Sequence, residues 1–121
     1  AGYVPLLPVI KMCYSGKYTL DEMKAKVSKT GGLLGLLGTD SVRDIKGRVA
    51  DNDQWAELIY RAFAYNLAKY IGSYITAMQG VDIIAFTAGC GENNYRVRRG
   101  ICDYLGYLVG IKIECLTKIF W

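Results

Sequence analysis

The tract Gly89-Cys90-Gly91-Glu92-Asn93-Asn94 is where this sequence could do chemistry. It follows a short apolar run and opens a segment with helical spacing. Glycines at such a junction let a ligand approach the backbone, and the first N–H groups of a helix favour a phosphate or ribose oxygen. The pattern is only G-x-G-x-x-N. A tight turn with positive φ at Gly89 or Gly91, capped by Asn93 or Asn94, explains it equally well. Arg96, Arg98 and Arg99 lie in the first turns of the helix that follows, where cations oppose the helix dipole. A nearby anion would relieve that opposition, and a solvated basic face is the simpler account. Asp40, Arg43 and Asp44 form a second charged group. A guanidinium there can stack on a purine or hold a carboxylate, while a local Asp–Arg pair closing a loop is the simpler alternative. Cys90 could carry a thiol acidified by the helix N-terminus, but no base stands beside it to make a nucleophile.

The elements that must position these groups are bounded by composition. A chain of 121 residues, 52% hydrophobic and 21% charged, is expected to form a single domain with a packed core. The sequence has no histidine. Imidazole general-base catalysis, Ser-His and Cys-His pairs and His-ligated metal sites are therefore excluded for these residues. Lys+Arg 15 against Asp+Glu 11 gives a net charge of +4, too mild and too dispersed to indicate nucleic acid as a partner. Cys13, Cys90, Cys102 and Cys115 contain no CxxC pair and follow no secretory signal, which suits reduced thiols and a cytoplasmic location. Uncharged stretches such as Tyr70 to Val81 fall well short of the about 20 residues of a bilayer span, so no membrane partner is expected.

Along the chain, Pro5 to Tyr14 suits a short helix with its prolines near the first turn. Thr19-Leu20-Asp21-Glu22 is a capping box that predicts a helix through about Ser28. Gly31 to Gly38 holds four glycines among four leucines and predicts a buried, irregular connection. Asp51 to Met78 is the strongest helical pattern, capped by Asp51 and stopped by Gly80. Trp55, Leu58, Ile59, Ala62, Phe63, Tyr70, Ile71, Tyr74, Ile75 and Met78 fall at three- and four-residue steps and form its expected core face. Ala64, Ala68, Gly72 and Thr76 form a small-residue groove on the opposite edge that another helix could approach closely, with ordinary packing within one core as the simpler account. Asp82 to Thr87 reads as a strand buried on both faces, followed by a helix with Val97, Ile101, Leu105 and Leu108 on one side and a second strand at Ile111-Lys112-Ile113-Glu114. The order predicts an α/β layered domain with a right-handed crossover.

These segments together resemble the acetate kinase family, which belongs to the actin-like ATPase superfamily. The stretches that carry the resemblance are Gly31-Gly32-Leu33-Leu34-Gly35-Leu36, Val42-Arg43-Asp44-Ile45, Phe63-Ala64-Tyr65, Lys69-Tyr70-Ile71-Gly72 and, above all, Val81 through Asn93 with its Phe-Thr-Ala-Gly-x-Gly-Glu-Asn string. The resemblance implies an α/β, ribonuclease H-like subdomain in which helices pack on a small sheet around a strand, glycine loop, helix and strand. It implies that residues 1–121 are a fragment of the C-terminal, nucleotide-binding half of a kinase that moves a phosphoryl group between ATP with Mg²⁺ and acetate or another short-chain carboxylate. Carried over by position, Gly89, Cys90, Gly91 and Asn93 face the nucleotide, and Val42 and Arg43 flank the adenine and ribose.

Departures from the family pattern accompany the match. The stretch before Arg43 is one residue short, so Ser41 takes the place of a nucleotide-contacting aspartate, which Asp40 could fill only after a slip. Cys90 stands where isoleucine is usual. No catalytic residue and no metal ligand of the family falls within this chain. The resemblance implies a homo-oligomer or a missing N-terminal half as partner, and a chain that does not turn over alone. The rival reading is a non-catalytic interaction or dimerisation module, pairing through the Ala64/Ala68/Gly72 groove.

Overall fold

The structure, a computed structural model, describes residues 4–87, 91 and 94–108. Six helices make up its regular structure: α1 (Leu6–Cys13), α2 (Leu20–Ser28), α3 (Gly32–Leu37), α4 (Val42–Ala50), α5 (Gln54–Met78) and α6 (Tyr95–Leu105). The chain divides into two compact units, Ala1–Ile59 and Tyr60–Trp121, with residues 54–59 of α5 in one and the remainder of it in the other. No helix among the described residues is long and apolar enough to cross a membrane.

Local chemistry sets several boundaries in the first unit. Pro5 precedes α1, as its fixed φ and missing donor favour at a helix start. The capping box at α2 is complete: the Thr19 hydroxyl oxygen accepts from the Glu22 N–H at 3.3 Å, and the Glu22 carboxylate accepts from the Thr19 N–H at 2.7 Å. Those bonds hold the Glu22 carboxyl below its ordinary value, the Thr19 backbone bond contributing most. The expected irregular connection at Gly31–Gly38 is instead the helix α3. Gly31 and Gly35 answer to close approach, while Gly32 opens the helix at φ +64°. A Cβ on Gly31 would collide with the Lys26 carbonyl, and one on Gly35 would stand 2.7 Å from the Thr30 carbonyl oxygen. Gly38 ends the helix in the left-handed region at φ +72°. Tight docking on the end of α2 thus offsets the poor helix propensity of glycine. Met23, Leu37, Ile45, Ala56 and Ile59 are the buried apolar residues of this unit.

Asp51 does not cap α5. Asn52 turns the chain at φ 62°, and Asp53 caps instead, its Oδ1 accepting from the Ala56 N–H at 2.9 Å. The other end follows expectation at Gly80. Gln79 takes φ 60°, its N–H bonds the Thr76 carbonyl, and the Gly80 N–H bonds the Ile75 carbonyl, the two bonds of a Schellman motif.

In the second unit, the buried residues of α5 come from both edges, Ile75 from the expected core face and Ala64 and Ala68 from the small-residue edge, which corrects the expected core face in part. Tyr60, Ala64, Ala68 and Ile75 are buried with Val97, Ile101 and Leu105 of α6, while Tyr70, Tyr74 and Met78 are exposed, Tyr74 at 68%. Small side chains let helix backbones come close. A Cβ on Gly100 would lie 3.3 Å from the Ala64 Cβ, so α6 itself occupies that end of the groove. What remains is an open cleft of about 350 Å³ flanked by Tyr65, Gly72, Thr76, Tyr104 and Tyr107. The rings of Tyr65 and Tyr104 meet at 5.1 Å across it.

The predicted α/β class, with helices on a small sheet, is overturned for the described residues, which contain helices and no strand. Asp82 to Thr87 takes no strand assignment, and Ile83 is 75% exposed rather than buried on both faces. A strand exists only through backbone bonds to a neighbour, and no described segment pairs with this one. The second predicted strand, 111–114, lies outside the described residues.

Candidate functional site

The predicted site residues fall in both units. Gly89, Cys90 and Asn93 lie outside the described residues, and Gly91 is described. Ser41, Val42, Arg43 and Asp40 belong to the first unit, and Gly91 belongs to the second.

Gly91, which takes a helical assignment, passes close to Phe86: an added Cβ would lie 3.1 Å from the Phe86 carbonyl carbon and would press on it. Of the two expected caps, Asn94 serves: its Oδ1 accepts from the Val97 N–H at 3.2 Å and starts α6. The same oxygen accepts from the Tyr60 hydroxyl at 3.0 Å, and both donors reach it in a buried position. Arg98 corrects the picture of a solvated basic face. Arg96 and Arg99 are exposed, whereas Arg98 is 2% exposed and its Nη1 donates to the Gly91 carbonyl at 2.6 Å. Burying a guanidinium is expensive unless it is hydrogen-bonded, and this contact offsets part of that cost, the buried Nε having no hydrogen-bond partner among the described residues.

At the other group, the sequence Thr39-Asp40-Ser41 leads into α4. Ser41 is the N-cap, its hydroxyl oxygen accepting from the Asp44 N–H at 3.3 Å, and the Ser41 N–H donates to Thr39 Oγ1 at 3.1 Å. The hydroxyl that stands in the aspartate position is therefore engaged in starting a helix. Val42 and Arg43 are the first two helical residues, Val42 half-buried and Arg43 exposed. Among the described residues Arg43 makes no ion pair, so the local Asp–Arg closure is not formed. Asp44 accepts instead from the Thr39 hydroxyl at 3.4 Å.

Sequence reasoning missed the knot behind this edge. Arg48 donates from Nε to Asp53 Oδ2 at 2.8 Å, sets Nη2 2.7 Å from the same oxygen, and donates from Nη1 to the Leu37 carbonyl at 2.9 Å. One side chain thus ties the end of α3 to the start of α5 across α4, which fixes residues 38–42 between them. The Ala56 N–H, then the Arg48 guanidinium, hold the Asp53 carboxyl below its usual range. The Trp55 indole N–H donates to the Leu36 carbonyl at 3.1 Å beside it. No local signal marks Arg48 as different from the other cations of α4. The missed contact of Tyr60 with Asn94 spans 34 positions and is equally silent in sequence.

Three comparisons bear on what this arrangement belongs to. The acetokinase family profile matches residues 9–119. The probable butyrate kinase of Maridesulfovibrio salexigens is 35% identical over 120 residues, covering 93% of this chain and 33% of the relative. The acetate kinase of Pseudothermotoga lettingae is 43% identical over 107 residues, covering 88% of this chain and 26% of the relative. Among solved structures, Porphyromonas gingivalis acetate kinase superposes with a TM-score of 0.81 at 28% identity, over 89% of this chain and 27% of that one. A propionate kinase from Francisella tularensis superposes with a TM-score of 0.74 at the same identity. The chain spans about a third or less of the length of these relatives. With a family profile matched over nearly its whole length, and kinases similar to it in both sequence and fold, the chain belongs to the acetokinase family.

Proposed function

We propose that this chain is the nucleotide-binding portion, from the C-terminal half, of an acetate kinase-type phosphotransferase of the actin-like superfamily. The reaction is ATP plus acetate or another short-chain carboxylate to ADP plus acyl phosphate, in a cytoplasmic setting. The carrying observation is that Gly91 passes close to the Phe86 backbone, with an added Cβ at 3.1 Å, and that Asn94 caps α6. A glycine a few residues before the N-terminus of an eleven-residue helix lets a ribose or phosphate oxygen approach the backbone. Gly89, Cys90, Gly91 and Asn93 would line that approach, and Val42 and Arg43, with Asp40 or Ser41, would meet the base and ribose. Arg43 is exposed and makes no ion pair among the described residues, so its planar guanidinium is available to stack.

Phosphoryl transfer depends on positioning and on neutralising charge at the γ-phosphate. Mg²⁺ would supply part of that neutralisation when bound to the nucleotide. Among the described residues no group of three acidic or thiol side chains lies together. They do not make a metal site, and no residue here is assigned to the ion. The chain alone is expected to bind nucleotide without turning over.

Isothermal titration with ADP tests the reading. Measurable binding, abolished by Asn93→Ala, supports it, and acetyl phosphate formation by the isolated chain would contradict the claim of incompleteness. The second reading, an interaction module, draws on the exposed Tyr70, Tyr74 and Met78 on α5 rather than on the Ala64 groove that α6 fills. Association without any ADP binding would favour it.

A further inference from the structure

We propose that Arg48 is a positioning residue: it holds the link between α3 and α4, residues 38–41, in the shape from which Val42 and Arg43 meet the base and ribose of a nucleotide. The inference rests on the reading that this edge faces nucleotide. Every group it uses lies in the first unit. The last carbonyls of a helix have no partner within it and must be met from outside. At the end of α3 two of them are met by side chains, the Leu36 carbonyl by the Trp55 indole N–H at 3.1 Å and the Leu37 carbonyl by Arg48 Nη1 at 2.9 Å. The same guanidinium reaches Asp53 Oδ2 with Nε at 2.8 Å and Nη2 at 2.7 Å, while Asp53 Oδ1 accepts from the Ala56 N–H. One guanidinium and one carboxylate thus join the end of α3, the body of α4 and the start of α5, through charge-assisted bonds.

The link therefore closes between two tied points. Leu37, just before it, is bound to Arg48, and Ser41, its last residue, caps the helix that carries Arg48. Within it Gly38 turns at φ +72°, and the Thr39 hydroxyl oxygen accepts from the Ser41 N–H. Val42 and Arg43 are the first two residues of α4, so their direction is set where the link delivers the chain into the helix. Five helical steps of about 100° leave Arg48 about 140° around α4 from Arg43, so it acts from behind and does not touch a ligand stacked on Arg43. A lysine could not do the same, because a single ammonium lacks the planar fork that meets a carboxylate and a carbonyl at once. An edge fixed before binding loses less conformational freedom when the ligand arrives, and the difference appears as affinity.

The test is a double-mutant cycle on the whole 121-residue chain, with Arg48→Met, Arg43→Ala and the two combined, titrated with ADP and unfolded in urea. Arg48→Met should weaken ADP binding about tenfold, part of what a hydrogen bond to a charged group is worth. In the Arg43→Ala background the same change should cost about threefold or less, because the side chain that Arg48 places is no longer there. Stability losses should instead add, since Arg43 is exposed and makes no ion pair among the described residues. A role confined to folding gives additive losses in both measurements, and that result overturns the proposal. So does an ADP affinity equal to wild type in Arg48→Met, or in Arg43→Ala. Arg48→Lys should bind ADP within about threefold of Arg48→Met, and full recovery by lysine would contradict the role of the fork. If the wild type binds no ADP, the nucleotide reading itself fails and takes this role of Arg48 with it. Loss of the predicted coupling in a wild type that does bind strikes this proposal alone. Should Arg48→Met not fold, Asp53→Asn replaces it in the cycle and decides the matter by the same criteria: it keeps a capping oxygen, gives up the charge facing Arg48 and should cost about threefold in ADP affinity.

Discussion

Two glycines in helix interiors offer the same substitution with opposite expected results. Gly47 in α4 is exposed and has nothing within 4 Å of an added Cβ. Gly47→Ala should therefore collect the full difference in helix propensity, a gain of about 0.8–1.0 kcal/mol. Gly100 in α6 would gain the same propensity, but its Cβ would press to 3.3 Å from the Ala64 Cβ. Ala64 is nearly fully buried, and its methyl is fixed to the backbone of a 25-residue helix, so no rotamer change can yield. Overpacking of this kind costs about 1–3 kcal/mol. The cost outweighs the gain, and Gly100→Ala should be destabilising by about 0–2 kcal/mol net, the difference of those two effects. Urea unfolding of both variants measures the difference directly. A double-mutant cycle with Ala64→Gly isolates the contact, with an expected favourable coupling of about 1 kcal/mol. If Gly100→Ala stabilises the chain as much as Gly47→Ala does, α6 does not approach α5 at Ala64, and the packing described for the second unit is wrong.

Thr19→Ala should cost about 1 kcal/mol and Thr19→Ser much less, because the cap needs only a hydroxyl oxygen; equal losses in chemical denaturation would contradict the capping role. The Asp53 carboxyl lies below its ordinary value of 3.8, so its contribution is fully present above about pH 4 and is lost as pH falls through the lowered value. Asp53→Asn should flatten the acid limb of a stability–pH curve below about pH 4, and a limb identical to wild type would remove Asp53 from its causes. Exposed Leu7, Tyr74, Met78 and Ile83 should drive self-association at micromolar concentration, which sedimentation velocity reads as species heavier than 13.4 kDa; a single sharp monomer boundary would contradict it.

The features legible in the sequence were those decided within a few residues. Thr19 and Glu22 announce a capping box because both halves of it lie in one turn. Gly80 announces a stop because its bond to Ile75 closes locally. Asn94 could be placed at a cap for the same reason. The misread features depend on what stands across from them. Asp82 to Thr87 has the composition of a buried strand, but strand identity comes from a partner, and no described segment supplies one. Gly31 and Gly35 look like helix breakers until the Lys26 and Thr30 carbonyls are seen to leave no room for a side chain there. The long helix presents an apolar face and a small-residue face. Spacing alone favoured the larger side chains, whereas the close approach of Gly100 selects Ala64 and Ala68 for burial. At the site, Arg98 reads as one of three surface cations and turns out to be the one rotated inward to Gly91. The contribution of Tyr60 cannot be seen without the fold.

The proposed function gives nucleotide contact to two stretches of this chain, one around Val42 and Arg43 and one around Gly91. An ADP titration followed by ¹H–¹⁵N correlation spectra of the labelled chain reads both stretches at once. Amide signals from residues 40–44 and 89–94 should shift together and saturate along one binding curve, while signals from α1 stay in place. No shift at millimolar ADP, or a shift confined to one of the two stretches, would contradict the proposal.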